Sequence, residues 1–151
     1  MDEIEVLIAQ IRDAGQEVWM AGAQTEEVVA GLEQALGVTM PPSYRQFLLR
    51  YGGLGIGDSF ISGIVEDNPL DEGMGSLFGD TQRFRQDYGL PEHLLVVQAD
   101  EDAPYCLDTS HPGPGGEYPL VSFELHSQQA SSLAPTFGQW LTEWLRLQAG
   151  S

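Results

Sequence analysis

No lysine occurs anywhere in the 151-residue chain, and its six basic side chains are all arginine. A P-loop needs a lysine to reach its phosphates, so that class of nucleotide site is excluded. The single cysteine, Cys106, excludes an intramolecular disulfide and a cysteine-based zinc site, and fits a reducing compartment. No apolar run approaches the ~18 residues of a membrane span. The opening MDEIEVLIAQ is acidic where a secretory signal is basic, so the expected address is the cytoplasm. There is no G-x-S-x-G nucleophile turn, and no glycine fingerprint of a dinucleotide site between a strand and a helix. The histidines, His93, His111 and His126, lack the i, i+4 spacing of a helical zinc pair. Neither a metal nor a cofactor is implied.

What is abundant is acid. There are 23 carboxylates against six arginines, for a formal charge of −17. Such a field repels phosphates, which disfavours nucleic acid and anionic membrane as partners and favours a basic protein or cations. The plain alternative is that the charge only keeps the chain in solution. The acids are not evenly spread. Between Gly53 and Asp102 there are eleven of them, with only Arg83 and Arg85 to offset them. Two runs stand out, VEDNPLDEG at 65–73 and ADEDAP at 99–104. Neither has the 12-residue alternation and closing glutamate of a calcium loop, so both read as solvated turns. If the strands beside them are adjacent, the two loops share one rim of a sheet. The partner-binding candidates are therefore Asp58, Glu66, Asp67, Asp71, Glu72, Asp100, Glu101 and Asp102.

Periodicity sets the elements. Helices are expected over 2–14, with Asp2 as cap, and over 24–36, with Thr25 as cap and Gly37 as stop. A third, 42–51, starts at Pro42 and carries Tyr44, Phe47, Leu48 and Tyr51 on one face. Val18, Trp19 and Met20, of ambiguous structure, are expected to be buried. The glycine-broken stretch LGIGDSFISGIVED reads as one or two short strands. A helix follows within 76–89, with Asp80 as its expected cap. LLVVQADE, PYCLDTS and YPLVSFELH read as strands, the last with Val121, Phe123 and Leu125 on an apolar face. Phe137, Trp140, Leu141, Trp144 and Leu145 make the stripe of a closing helix over 135–147, its tryptophans in the core. Without βαβ alternation, the expectation is a single α+β domain over 1–151: a mainly antiparallel sheet with N-terminal helices, one inserted helix and a C-terminal helix.

The stretch LEQALGVTMPPSYRQFLLRYGG, residues 32–53, closely resembles the opening motif of the SMI1/KNR4 superfamily, also called SUKH. Glu33, Leu36, Gly37, Pro41, Tyr44, Phe47, Leu48, Gly52 and Gly53 fall on its places. FISGI, YCLDTS with Leu107 and Asp108, and PTFGQWL with Phe137 and Leu141 continue the likeness to about residue 147. Met40 and Tyr51 depart from the usual leucine and asparagine. The resemblance implies a non-catalytic α+β domain. Many bacterial members look like immunity proteins encoded beside polymorphic or contact-dependent toxins, often nucleases, while fungal members are regulatory scaffolds in cell-wall signalling. Its motif residues read as fold determinants, and no partner-contacting residue carries over. Three readings stand: an immunity protein acting on a basic toxin domain, a scaffold module, and a small enzyme or metal binder using the carboxylates.

Overall fold

The computed structural model describes residues 2–150. The chain opens with α1 (Glu3–Asp13), whose cap Asp2 accepts a hydrogen bond from the Glu5 N–H. Its stripe Leu7, Ile8 and Ile11 is buried along α5 (Phe137–Ala149), so the two ends of the chain pack together. Between them lie β1 (Val18–Met20), α2 (Glu26–Leu36) and α3 (Pro42–Arg50). Thr25 caps α2 through the Val28 N–H, and Gly37 closes it at φ 69°.

Two antiparallel sheets follow. β1, β2 (Leu54–Ile56) and β3 (Ser59–Ile61) form the first, in that order. β4 (Leu94–Gln98), β5 (Tyr105–Asp108), β6 (Leu120–Glu124) and β7 (Gln129–Ala134) form the second. The Ser62 N–H donates to the Val97 carbonyl at 2.7 Å, joining the two where β3 ends. The second sheet is covered on both faces over β4, β5 and β6. Leu95, Val97, Leu107 and Leu120 belong to the main core with the helices, while Val96, Cys106, Val121 and Phe123 pack with Phe84 of α4 (Leu77–Tyr88). β6 is therefore apolar on both sides at Leu120 and Val121, more than its alternation suggested.

Three expectations are corrected. Asp80 does not cap α4: Ser76 does, accepting from the Gly79 N–H, and Asp80 lies one turn further in, 1% exposed. Trp19 is 46% exposed, because β1 has two faces and Val18 and Met20 take the inner one. β7 was not expected at all. Its residues, QASSLA, are exposed or half-buried, and its pairing with β6 rests on the backbone rather than on an apolar pattern.

The core is aromatic where α3 meets α5. Tyr44 and Phe137 meet edge to face at 4.9 Å, with Phe47 against both. Tyr44 is wholly buried, and its hydroxyl donates to the Ser62 carbonyl at 2.6 Å. Burial, with the Asp80 carboxylate nearby, pushes the phenol well above its ordinary value, so it stays a donor. Tyr44→Phe leaves a buried carbonyl without that donor, and urea unfolding should report a loss of about 1–3 kcal/mol.

The motif residues have structural work. Glu33 accepts from the Met40 N–H at 2.7 Å and pairs with Arg45, tying α2 to the start of α3. Gly52 (φ 73°) and Gly63 meet backbone to backbone; a Cβ on Gly63 would stand 1.7 Å from the Gly52 oxygen. Asp108 accepts from the Ser110 N–H and Oγ and meets His111 Nδ1 at 3.1 Å. Burial raises its pKa, but these hydrogen bonds outweigh it and hold the carboxyl below the ordinary 3.8. The stability this turn contributes is thus complete above about pH 4 and lost as pH falls through the lowered folded value. Asp108→Asn should flatten that limb of an acid-unfolding curve; a limb of unchanged slope would remove Asp108 from it.

Candidate functional site

A cleft of about 1010 Å³ opens between the first sheet, the loop running from β3 to α4, and the end of β4. Four segments bring carboxylates to it. Asp58 comes from the β2–β3 turn, Glu66 and Asp71 from the loop after β3, Asp100 from the turn after β4, and Asp80 from inside α4. Asp80 is accounted for internally, by the Ser62 hydroxyl and the Arg83 guanidinium. Among the described residues, none of the other four has an ion-pair partner.

Four of the chain's other arginines pair with acids outside the cleft. Arg45 pairs with Glu26 and Glu33, Arg50 with Asp2 and Glu5, Arg85 with Glu92, and Arg146 with Glu3 and Glu143. Arg12 lies in the last turn of α1.

The rim is held by local geometry. Glu66 and Asp67 both have positive φ, 54° and 55°, in a tight turn closed by the Asn68 N–H on the Val65 carbonyl. Non-glycine residues enter that region at a cost of about 1 kcal/mol each. Gln24, itself buried, donates to the Asp67 carboxylate at 3.1 Å and to the Gly22 carbonyl, which ties this turn to the α2 side. Asp71 accepts from the Gly73 N–H, and Asp100 from the N–H groups of Asp102 and Ala103. Gly79 lets the loop lie against α4: a Cβ there would meet the backbone of residues 71–73 at 2.7–2.8 Å.

The eight candidates thus divide. Asp58, Glu66, Asp71 and Asp100 line one cleft. Asp67 is exposed, outside the lining, and bonded to Gln24; Glu72, Glu101 and Asp102 are exposed and also outside the lining. Among the described residues, no three or more His, Cys, Asp or Glu side chains are grouped so as to hold a metal ion. Cys106 is buried, its thiol pushed up to about 12 by that burial, so it carries no thiolate at neutral pH.

Sequence reading missed the apolar part of the site. Trp19, Phe60 and Met74 line it at 46%, 48% and 83% exposure. Trp19 stands opposite Gly55, and Gly55 opposite Phe60, so the two rings meet edge to face at 6.1 Å across a residue with no side chain. The available signal was a glycine midway along a three-residue strand, which marks a close approach.

Nearly all of this frame coincides with one family. The family model described as SMI1-KNR4 cell-wall matches residues 4–146. The chain belongs to the SMI1-KNR4 family. Members of this family, SUKH, are known in general as immunity proteins. The uncharacterized protein YnaB of Bacillus subtilis (strain 168) is 27% identical to this SMI1-KNR4 chain over 117 residues, 74% of the chain and 69% of that protein. The chain is also similar to the crystal structure of a protein from Pseudomonas syringae pv. tomato. That match has a TM-score of 0.65 and 17% identity and covers 97% of this chain and 99% of that one. At such identity the second likeness speaks for the fold. Among the described residues, no helix of this SMI1-KNR4 protein is long and apolar enough to cross a membrane.

Proposed function

We propose that this protein is a cytoplasmic immunity protein: it binds a cognate toxin domain and neutralises it by covering a basic face with the acidic cleft. It acts by stoichiometric binding and not by catalysis. The observation that carries this reading is the set of four carboxylates, Asp58, Glu66, Asp71 and Asp100, gathered in one cleft with no ion-pair partner among the described residues. Membership in a family known in general for immunity supports it.

The physics favours a nuclease as the toxin. A nuclease must bind phosphates and therefore presents cations around its active site. Charges of one sign in a low-dielectric cleft focus the field, and a complementary pair associates faster than neutral surfaces do. The same field turns nucleic acid and anionic membrane away.

The test is rescue with co-purification. The C-terminal domain of the product encoded next to this gene is expressed in cells with and without this protein, and the two are then purified together. Relief of toxicity with a stable one-to-one complex is expected. Toxicity unrelieved, with no complex, would overturn the reading and favour a scaffold role for the same fold.

A further inference from the structure

We infer that the cleft receives an arginine-bearing segment of the partner, whose guanidinium lies against the Trp19–Phe60 pair while the carboxylates around it take its N–H groups. This deepens the immunity reading and rests on it for the identity of the partner, though not for the chemistry of the cleft.

Three observations lead there. First, the exposed apolar surface is concentrated: Trp19, Phe60 and Met74 line this cleft, and Leu70, also exposed, lies on the loop that borders it. Large aromatic side chains left half in water are what interface centres use. Second, the pair is built on a glycine. A Cβ on Gly55 would come 2.6 Å from the Phe60 ring, so the rings occupy the space over that strand because nothing else does. Third, the charge around the rings is uncompensated. The carboxylates of Asp58, Glu66, Asp71 and Asp100 have no ion pair among the described residues, while four of the six arginines pair with acids outside the cleft and Arg83 pairs with Asp80.

Those features together select among cations. Lysine is a compact, strongly hydrated charge that gains little from a ring face. Arginine is planar and weakly hydrated, stacks on aromatic rings, and offers five N–H donors to surrounding carboxylates. A cleft with carboxylates alone would attract either. An aromatic pair set among carboxylates from three chain segments fits the guanidinium better. The expected division of labour is that the carboxylates govern how fast the partner arrives and the rings how long it stays.

The test uses the full chain, labelled with nitrogen-15, and three acetylated peptides of equal length in which glycine alternates with arginine, lysine or citrulline. The arginine peptide should shift the Trp19 indole N–H signal and the amides of residues 58 and 100. It should also shield Trp19 from acrylamide quenching, since its indole is exposed whereas those of Trp140 and Trp144 are buried. The lysine peptide should bind several-fold more weakly, and the neutral citrulline peptide should leave these signals in place. Trp19→Ala and Phe60→Ala should each weaken arginine-peptide binding by about three- to thirtyfold. Both side chains are half-exposed, so the variants should lose only part of the stability of a core truncation, and thermal unfolding checks that each remains folded at the temperature of the binding assay.

Equal binding of the arginine and lysine peptides, indifferent to Trp19→Ala, would overturn the inference and leave net charge as the explanation. So would shifts scattered over acids outside the cleft. The fate of the immunity reading is separate. Rescue and partner affinity retained by Trp19→Ala would sink this inference and leave immunity standing. Arginine-peptide binding at the cleft with no rescue in cells would do the reverse.

Discussion

Gly63→Ala should unfold more of this protein's stability than any exposed substitution, by about 3–5 kcal/mol. The added methyl would stand 1.7 Å from the Gly52 carbonyl oxygen and 2.8 Å from its carbon. Both are backbone atoms, so no side chain can turn aside. The same carbonyl accepts the Ile64 N–H at 2.7 Å, and the Gly63 N–H donates to the Gly75 carbonyl; moving either segment breaks those bonds. Gly52→Ala should be nearly as costly, because its Cβ would stand 2.1 Å from the Gly22 oxygen and its φ of 73° already disfavours a side chain. Gly89 supplies the control. It closes α4 at φ 69° with nothing within 4 Å of a Cβ, so Gly89→Ala isolates the conformational cost, about 1 kcal/mol. Urea unfolding of the three variants separates overlap from dihedral strain. If Gly63→Ala costs no more than Gly89→Ala, the close approach is not what makes glycine necessary there.

Neutralising the cleft should slow partner capture by about 10- to 100-fold at low ionic strength. The variant replaces Asp58 and Asp71 and Asp100 with Asn, and Glu66 with Gln. Stopped-flow association with the proposed toxin domain should also lose most of its dependence on salt, while dissociation changes little. A matched variant changes Asp13, Glu17, Glu27 and Asp87, all exposed and outside the cleft lining. It removes the same number of charges from elsewhere. A long-range effect of net charge would slow both variants equally; a focused field slows only the first. Equal slowing would dismiss the cleft as the docking face.

Much of the fold could be read before any coordinates, because helices announce themselves locally. The stripe and caps of α1, α2, α3 and α5 lie within a dozen residues each, and their bounds moved by no more than two residues at most ends. α4 was the instructive exception. Asp80 is a good cap by residue type, but Ser76 is placed to reach the Gly79 N–H, and Asp80 is drawn inward by Ser62 and Arg83. β7 carries no apolar alternation, so nothing in QASSLA marks it as a strand; its partner does. The site was half legible for the same reason. Carboxylates can be counted in a sequence, but which of them meet depends on loops folding back on α4 past Gly79. The aromatic pair needed cross-strand register, since Trp19 and Phe60 are 41 positions apart and adjoin only through Gly55.

The polar edge strand β7 has a colloidal consequence. Among the described residues it pairs with β6 alone, so one side of its backbone is a row of ladder positions with no strand beside it, and its six residues include no lysine, no proline and no charge to blunt them. Like-charge repulsion from the formal charge of −17 opposes edge-to-edge pairing of two molecules. That protection fades as the solution approaches the isoelectric point near 4.1. A solubility minimum is therefore expected near that pH, with the β7 edge as the surface through which neighbouring molecules would first pair.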